Sequence, residues 1–550
     1  MATPIVTPAT LRLPFTPRAG YTPSAPAIIL PPSSPHAAAS ANPGKPFHIS
    51  YHHLHTLILD LQDQLAGLGL QVGDAVSSSL GNGVEFAIAF LATGWQRLIA
   101  APLNPAYTQS EVEFYLDDTK SKVLLVPSGS FSSTSLSTPP TVSAAKKLNI
   151  PAYEIVFDPT ASDGKGAIFL KDASGKILPK VGAEKREPQE QDTTLVLHTS
   201  GTTGKPKGVP LTHANLVATM ENIIRTYDLT GRDRTFLVMP LFHVHGMQAA
   251  FLSTLLSGGA AVIPPKFSAS TFWSELTLTR CTWYTAVPTI HSMLLSSPRP
   301  STQPPLRFIR SCSSSLAPSV FHALEEAFKA PVLEAYAMTE AAHQMTSNQL
   351  PHKGERRPGS VGIGQGVEVR IIGTDDKTVP TGGEGEVCVR GKNVTKGYLN
   401  NPKANAESFV HNPPAGHEDN KGFFRTGDQG KLDEQGYLVL TGRIKELINR
   451  GGEKLSPLEI DAALLKVKGV KEAVSFAVED ATYGQKVGAA CVVESGVTED
   501  AIKKELAGSL SKFKIPEKIY LVDAIPKTAT GKIQRRQVSA QMTASDKPKL

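Results

Sequence analysis

Acidic side chains are absent from the start of this 550-residue chain until Asp60. Prolines at 4, 8, 14, 17, 23 and 26 interrupt the same stretch. An acid-poor start has the composition of a transit peptide, but those prolines break the amphipathic helix such a leader needs. Residues 1–45 are therefore expected to form an extended or disordered arm. Cysteine is scarce. Cys281, Cys312, Cys388 and Cys491 are scattered, with no C-x-x-C pair, which argues against a zinc site and a disulfide framework and fits a reducing compartment. The Asn393-Val394-Thr395 sequon then carries little weight. No apolar run reaches the about 18 residues of a membrane span; the longest candidates break at Gln96 and Arg97. Net charge is only +6, and no basic cluster is interleaved with aromatics, so nucleic-acid binding has no support. No internal repeat is evident.

What is present suits a large α/β protein. A chain with 40% apolar residues can bury sizeable cores and should form at least two domains. Leu54, Leu57, Leu61 and Leu65 recur at helical spacing within 50–70. Helical and strand-like segments then alternate to about Gly442, a layered α/β pattern. The Ser/Pro/Thr-rich stretch 127–140 reads as a surface insertion. Thr212 is placed to cap a helix carrying Leu216, Met220, Ile223 and Tyr227. Ser456-Pro457-Leu458-Glu459 has the form of a capping box with proline at the first helical position. Its helix should turn Ile460, Leu464 and Val467 inward and stop at Gly469. The expected division is a large domain over 46–444, a small domain over 445–540 and a tail over 541–550.

The segment Thr199-Ser200-Gly201-Thr202-Thr203-Gly204-Lys205-Pro206-Lys207-Gly208 is the most informative. It lies between a short apolar strand, Thr194-Leu195-Val196-Leu197, and a second extended run, Val209-Pro210-Leu211. Glycines let backbone N–H groups approach an anion, hydroxyls donate to phosphate oxygens and lysines offset charge. The spacing is not that of a P-loop, and the loop leads into a strand, not a helix. Such a cationic hairpin suits phosphates that must leave.

This segment resembles the phosphate loop of the adenylate-forming superfamily, which holds acyl-CoA synthetases, adenylation domains and luciferases. Five further matches follow in the family's order: Phe242-His243-Val244-His245-Gly246, Glu334-Ala335-Tyr336-Ala337-Met338-Thr339-Glu340, Arg425-Thr426-Gly427-Asp428, Gly442-Arg443-Ile444-Lys445 and Pro526-Lys527-Thr528-Ala529-Thr530-Gly531-Lys532. The resemblance implies a large N-terminal domain and a small mobile C-terminal domain. It also implies activation of a carboxylic acid by ATP with Mg²⁺, followed by thioester formation with CoA.

The roles it implies can be stated by residue. Thr199, Ser200, Gly201, Thr202, Thr203, Gly204, Lys205, Lys207 and Ser314 would meet the nucleotide, with Glu334, Ala335 and Tyr336 along the adenine. Glu340 would be the oxygen ligand to Mg²⁺, with Thr339 donating to the α-phosphate. Asp428 would accept both ribose hydroxyls, helped by Arg443. Lys445 would be the hinge, and Gly451, Gly452 and Glu453 would meet CoA. Lys532 would reach the reacting carboxylate during adenylation. His243 would form the floor of the acid pocket, and His245 is assigned to packing.

The acid is read from Arg310-Ser311-Cys312-Ser313-Ser314-Ser315-Leu316-Ala317-Pro318. Relatives using fatty or aromatic acids favour Gly and Ala at this wall. Serines here, with His343 three residues after Glu340, suit a second carboxylate on a very short substrate, met by hydroxyls and an imidazolium; serines satisfied on turn backbone and a surface histidine fit the pattern equally well. Three segments move the balance, being more similar to oxalate–CoA ligases of plants and fungi than to 4-coumarate–CoA ligases. They are Ala101-Pro102-Leu103-Asn104-Pro105-Ala106-Tyr107, the Ser-Cys-Ser wall and Glu340-Ala341-Ala342-His343. The implied reaction is oxalate + ATP + CoA → oxalyl-CoA + AMP + diphosphate; a medium-chain fatty acid or 4-coumarate is the alternative acid. The short stretch after Lys532 is expected to leave no room for a fused carrier domain, so a carrier would have to be loaded in trans. The ending Lys547-Pro548-Lys549-Leu550 resembles a relaxed peroxisomal address, so an import receptor is a possible partner and the peroxisome the expected compartment, otherwise the cytoplasm.

Overall fold

A computed structural model describes residues 9–16, 21–132, 138–182, 184–199, 206–301, 303–528 and 533–544. Two largely parallel sheets with helices between and around them make up most of the large domain. The first has seven strands; its two edge pairs, Ala152–Asp158 with Ala167–Lys171 and Thr193–Thr199 with Lys207–Thr212, are antiparallel. The second has nine strands and includes Arg234–Leu237, Trp283–Ala286, Phe308–Ser311 and Val332–Met338 in parallel register. Strands this apolar, separated by helices and buried on both faces, are what parallel sheets demand. A four-stranded antiparallel sheet, from Glu368–Ile372 to Leu438–Arg443, follows.

The helix read around Leu54 runs Tyr51–Ala66, with the Ser50 side chain accepting from the His53 N–H and all four leucines buried. Thr212 caps His213–Tyr227 in a reciprocal box with Asn215, and Leu216, Met220, Ile223 and Tyr227 are buried as their spacing requires. These helices pack against the sheets and build the main core.

The N-terminal region departs from expectation. Pro26–Leu30 is a strand inside the nine-stranded sheet, parallel to Ala260–Val262, and Phe47–Ser50 pairs beside it. Residues 26–45 are thus part of the large domain, not an arm. The apolar run Ala27-Ile28-Ile29-Leu30 is buried outright, and that burial outweighs the flanking prolines, which sit at strand ends where no ladder donor is needed.

The small domain holds a five-stranded sheet from Ile448–Arg450 to Lys518–Leu521 around its own core of Ile448, Ile460, Leu464, Ala489, Ile502 and Ile519. Its first helix, Pro457–Leu464, is capped by Ser456 accepting from the Glu459 N–H. The reciprocal half of the expected box is missing because the Glu459 carboxylate pairs with Lys514 at 2.7 Å. Ile460 and Leu464 face inward as expected, but the helix ends at Leu464, and Val467 is buried from the turn that follows. No helix is long and apolar enough to cross a membrane among the described residues.

Candidate active site

The parallel strands of the nine-stranded sheet deliver their C-terminal ends to one region, where ligands of such sheets bind. Thr285 on one strand is registered against Arg310 on the next, and Ser311 against Glu334. Val332–Met338 runs into a 3₁₀ turn, Thr339–Ala341, and the chain returns antiparallel as His343–Ser347. That reversal needs Ala342 at φ +48° and His343 at φ +112°, backbone that non-glycine residues adopt at a cost. Surrounding bonds hold it in place. Asn393, buried within the sequon, donates to the Ala341 and Gln344 carbonyls, and the Thr395 N–H donates to the Glu340 carbonyl over 2.7 Å.

Glu340 is buried, and burial raises its carboxyl above the usual range, partly offset by the Tyr398 hydroxyl, which donates to Oε1 over 2.8 Å. Thr339 is buried beside it. Asp428 lies within the strand Phe424–Leu432, just after Gly427 at φ +73°. Its two oxygens are held separately: Tyr336 donates its hydroxyl to Oδ2 over 2.5 Å, and Arg443 Nε reaches Oδ1 at 3.1 Å. Tyr336, Asp428 and Arg443, read from three motifs, therefore meet at one place. Glu334 does not join them with its side chain. Its Oε2 accepts the Gly359 N–H at 3.0 Å, and burial pushes its carboxyl up to about 8. Ala335 is buried in the same strand, and Ser314 is exposed on the turn after Phe308–Ser311.

A second cluster surrounds His343, which is not a surface histidine. It is only 1% exposed, and neither ring nitrogen has a hydrogen-bond partner among the described residues. Burial, then the charge of Arg310, lowers its basicity well below an ordinary imidazole, so the ring is neutral here and not the imidazolium the sequence suggested. The His245 ring lies 5.2 Å away. His245 does more than pack: Nδ1 is 3.0 Å from Ser313 Oγ, and Nε2 is 2.7 Å from Thr285 Oγ1. His243 Nδ1 accepts the His245 N–H over 3.2 Å. Gly246 opens a π-helical turn, His245–Leu252; a Cβ there would stand 2.3 Å from the Pro240 carbonyl oxygen, so only glycine lets the histidines approach.

The phosphate hairpin is described on its flanks. Thr193–Thr199 pairs with Lys207–Thr212 as expected, while Ser200, Gly201, Thr202, Thr203, Gly204 and Lys205 lie outside the described residues, as do Lys532, Lys549 and Leu550. His198, next to the hairpin, is anchored to Asp118 at 2.8 Å. Lys445 is exposed in the 3₁₀ turn Ile444–Glu446. The stretch 449–454 is not an open loop: Ile448–Arg450 and Glu453–Leu455 pair, and only Gly451 and Gly452 form the turn, at φ +61° and +95°. Among the described residues no three His, Cys, Asp or Glu side chains gather as a metal cluster.

A sequence model of the AMP-binding enzyme family matches residues 17–399, and one of the AMP-binding enzyme C-terminal domain matches 459–532. The chain belongs to the AMP-binding enzyme family. Its large and small domains are those of an acyl-CoA synthetase. It is 46% identical to an oxalate–CoA ligase of Saccharomyces cerevisiae, covering 90% of this chain and 92% of that protein. It is equally 46% identical to one of Arabidopsis thaliana, covering 90% and 93%. The solved structure of ATP-bound MatB from Rhodopseudomonas palustris superposes with a TM-score of 0.83 at 30% identity, covering 98% of this chain and 100% of that one.

Two residues at the site, Tyr398 and Thr285, escaped the sequence reading, and Arg310 was named only as the first residue of the wall segment, with no role of its own. Arg310 had a signal, because an arginine within the otherwise apolar Phe308-Ile309 strand has no reason to be there for packing. Tyr398 and Thr285 had none.

Proposed function

We propose that this AMP-binding enzyme joins oxalate to CoA with ATP through an acyl-adenylate. The observation that carries the reading is the wall of the acid pocket. His343 is buried with both ring nitrogens unpartnered among the described residues, and Ser313 stands beside it through His245. A fatty or aromatic acid would leave those groups unsatisfied, at a cost of about 1–3 kcal/mol each. A second carboxylate accepts from them. The two relatives named oxalate–CoA ligase support the same acid.

The reaction has two halves. A carboxylate oxygen attacks the α-phosphorus as the bond to the β-phosphate breaks, giving oxalyl-adenylate and diphosphate. The CoA sulfur then attacks the acyl carbonyl, the bond to AMP breaks, and the thiol proton passes to solvent. Asp428, steadied by Tyr336 and Arg443, accepts the ribose hydroxyls. Thr339 donates to the α-phosphate, and Ala335 borders the adenine. The hairpin from Thr199 to Lys207 and Lys532 offset the charge gathered where carboxylate meets triphosphate. His243 and His343 orient the acid. The turn at Gly451-Gly452-Glu453 meets CoA.

Glu340 suits Mg²⁺. Mg²⁺ takes one or two carboxylates together with phosphate oxygens and waters, and a buried carboxylate with no ion pair among the described residues fits that demand. When bound, the ion lowers the repulsion between the incoming carboxylate and the triphosphate.

Diphosphate release measured across oxalate, malonate, acetate, a medium-chain fatty acid and 4-coumarate tests the reading. Oxalate should lead the monocarboxylates at least tenfold in kcat/KM, about 1.4 kcal/mol; faster turnover of a fatty or aromatic acid overturns it. The ending Pro548-Lys549-Leu550 supports import into peroxisomes. An N-terminal fluorescent fusion should be punctate and become diffuse when residues 548–550 are deleted; diffuse signal before and after deletion would place the enzyme in the cytoplasm.

A further inference from the structure

Arg310 is wholly buried, and its hydrogen-bond acceptors are neutral. Nε donates to the Tyr227 hydroxyl at 2.8 Å, one terminal nitrogen to Thr285 Oγ1 at 3.2 Å and the other to Gln344 Oε1 at 3.2 Å. No carboxylate lies within ion-pair distance among the described residues. Burying a guanidinium without a counter-ion costs several kcal/mol, and nothing about the fold of a β-strand requires it. The apolar neighbours Phe308 and Ile309 show what this strand uses where only packing matters.

The bonds around Arg310 have a direction. A guanidinium only donates, so Thr285 Oγ1 accepts from it and has its own proton left to give. Its buried neighbour at 2.7 Å is His245 Nε2. In the proposed arrangement Nε2 accepts that proton, so the proton of the neutral imidazole sits on Nδ1, which faces Ser313 Oγ at 3.0 Å. Ser313 then accepts, and its hydroxyl proton is free for the pocket. His243 Nδ1 accepts the His245 N–H over 3.2 Å, so a proton carried by that ring sits on Nε2. Ser313 is held at φ +71°, a strained backbone that the surroundings over-determine. In this arrangement Arg310, Thr285 and His245 each donate to the next group, and the Ser313 hydroxyl is left to donate into the pocket.

We propose that Arg310, acting through Thr285 and His245, is a positioning residue that sets Ser313 as a donor and supplies the buried counter-charge for the second carboxylate of the acid substrate. The proposal rests on the dicarboxylate reading above and names what enforces it. Arg310 touches no substrate atom; it acts by fixing a tautomer and by a positive charge that water cannot screen.

Three variants test it, read by kcat/KM for oxalate and for acetate and by KM for ATP: Arg310→Gln, Arg310→Lys and Thr285→Val. Arg310→Gln should lower the oxalate-to-acetate preference at least tenfold, chiefly through the KM for oxalate, with acetate turnover and the KM for ATP within about threefold of the parent. Arg310→Lys should restore most of the preference by restoring the charge. Thr285→Val, nearly isosteric, breaks the relay without removing the cation and should lower the preference by a smaller factor; it decides the matter if Arg310→Gln does not fold. A parent enzyme that handles acetate as well as oxalate overturns the acid assignment. A parent selective for oxalate whose Arg310→Gln and Thr285→Val variants stay selective overturns the relay alone. Equal losses with both acids and with ATP reduce Arg310 to a packing element and overturn it too.

Discussion

The Tyr398 hydroxyl donates to Glu340 Oε1 over 2.8 Å while the ammonium of Lys207 stands 4.7 Å from the centre of the same ring. One tyrosine thus joins the exit strand of the phosphate hairpin to the buried carboxylate proposed to hold Mg²⁺. A cation over a tyrosine face contributes about 0.5–1 kcal/mol at a partly exposed site, and a hydrogen bond to a charged group about 1.5–3 kcal/mol. The tyrosine fixes where the carboxylate points.

Removing that hydroxyl gives the first prediction. Tyr398→Phe keeps the ring beneath Lys207 and deletes only the donor to Glu340. Titration with Mg²⁺ at fixed ATP should show a half-saturating concentration raised several-fold and kcat/KM for ATP lowered about tenfold. Far-ultraviolet circular dichroism should be unchanged. Unaltered Mg²⁺ dependence would reduce Tyr398 to packing.

Gly246 is the second. A methyl group there meets the carbonyl oxygens of Pro240 at 2.3 Å and Met239 at 2.7 Å, both backbone atoms that cannot swing aside. Gly246→Ala should cost about 1–3 kcal/mol through overpacking and displace His243 and His245. Denaturant unfolding should detect the loss, and activity should fall further than stability because the acid pocket is disturbed directly. A variant with the parent's unfolding midpoint would contradict the close approach.

Much of this was legible beforehand, and the gaps have physical causes. Motif order placed Tyr336, Glu340, Asp428 and Arg443 in one function, and three of them do converge on a single hydrogen-bonded group. Helical periodicity located Tyr51–Ala66 and His213–Tyr227 because one face of each is buried. The region 26–45 was misread because composition weighed its prolines and passed over four consecutive buried residues. The protonation of His343 was misread because a sequence shows the residue but not the burial and the Arg310 charge that lower its basicity. Tyr398 and Thr285 act through contacts made across 58 and 40 positions, and no local pattern encodes such pairs.

Acid sensitivity is the third prediction. His213, buried at the head of its helix, accepts the Leu11 N–H on Nδ1 at 3.2 Å and faces the Gly94 carbonyl with Nε2 at 3.3 Å. Burial pushes its imidazole down to about 4 from the ordinary 6.5, against an opposing contribution from the Gly94 bond. Between those values the unfolded chain binds the extra proton and the folded one does not, so stability falls as pH falls. The stability is fully present above about pH 6.5 and is lost progressively toward pH 4, by a few kcal/mol from this residue. Denaturant midpoints recorded from pH 7.5 to 5 should decline, and His213→Gln should flatten the slope. A midpoint independent of pH over that range would contradict a neutral buried His213.

The last prediction concerns the two halves of the reaction. Lys445 is exposed in the short turn Ile444–Glu446, between the last strand of the four-stranded sheet and the first of the small domain. Beyond it the small domain has its own core and its own internal tie, Arg535 pairing with Asp461 at 2.8 Å and Glu446 at 3.3 Å. A unit braced in this way can turn as a body about the residues before it. Lys532 belongs to that unit in sequence, and the proposed reaction uses its charge where the carboxylate meets the α-phosphate and the Gly451-Gly452 turn for CoA at the next step. On that proposal, rotation of the small domain separates the half-reactions. Lys532→Ala should lower adenylation roughly a hundredfold or more, the effect of losing one preorganised donor, while sparing transfer from a supplied acyl-adenylate to CoA. Lys445→Pro fixes φ near −65° at the turn and should do the reverse, sparing adenylation and slowing thioester formation. Diphosphate exchange and thioester formation from preformed adenylate, run on both variants, separate these outcomes. Equal loss of both steps in both variants would mean that one pose serves the whole reaction.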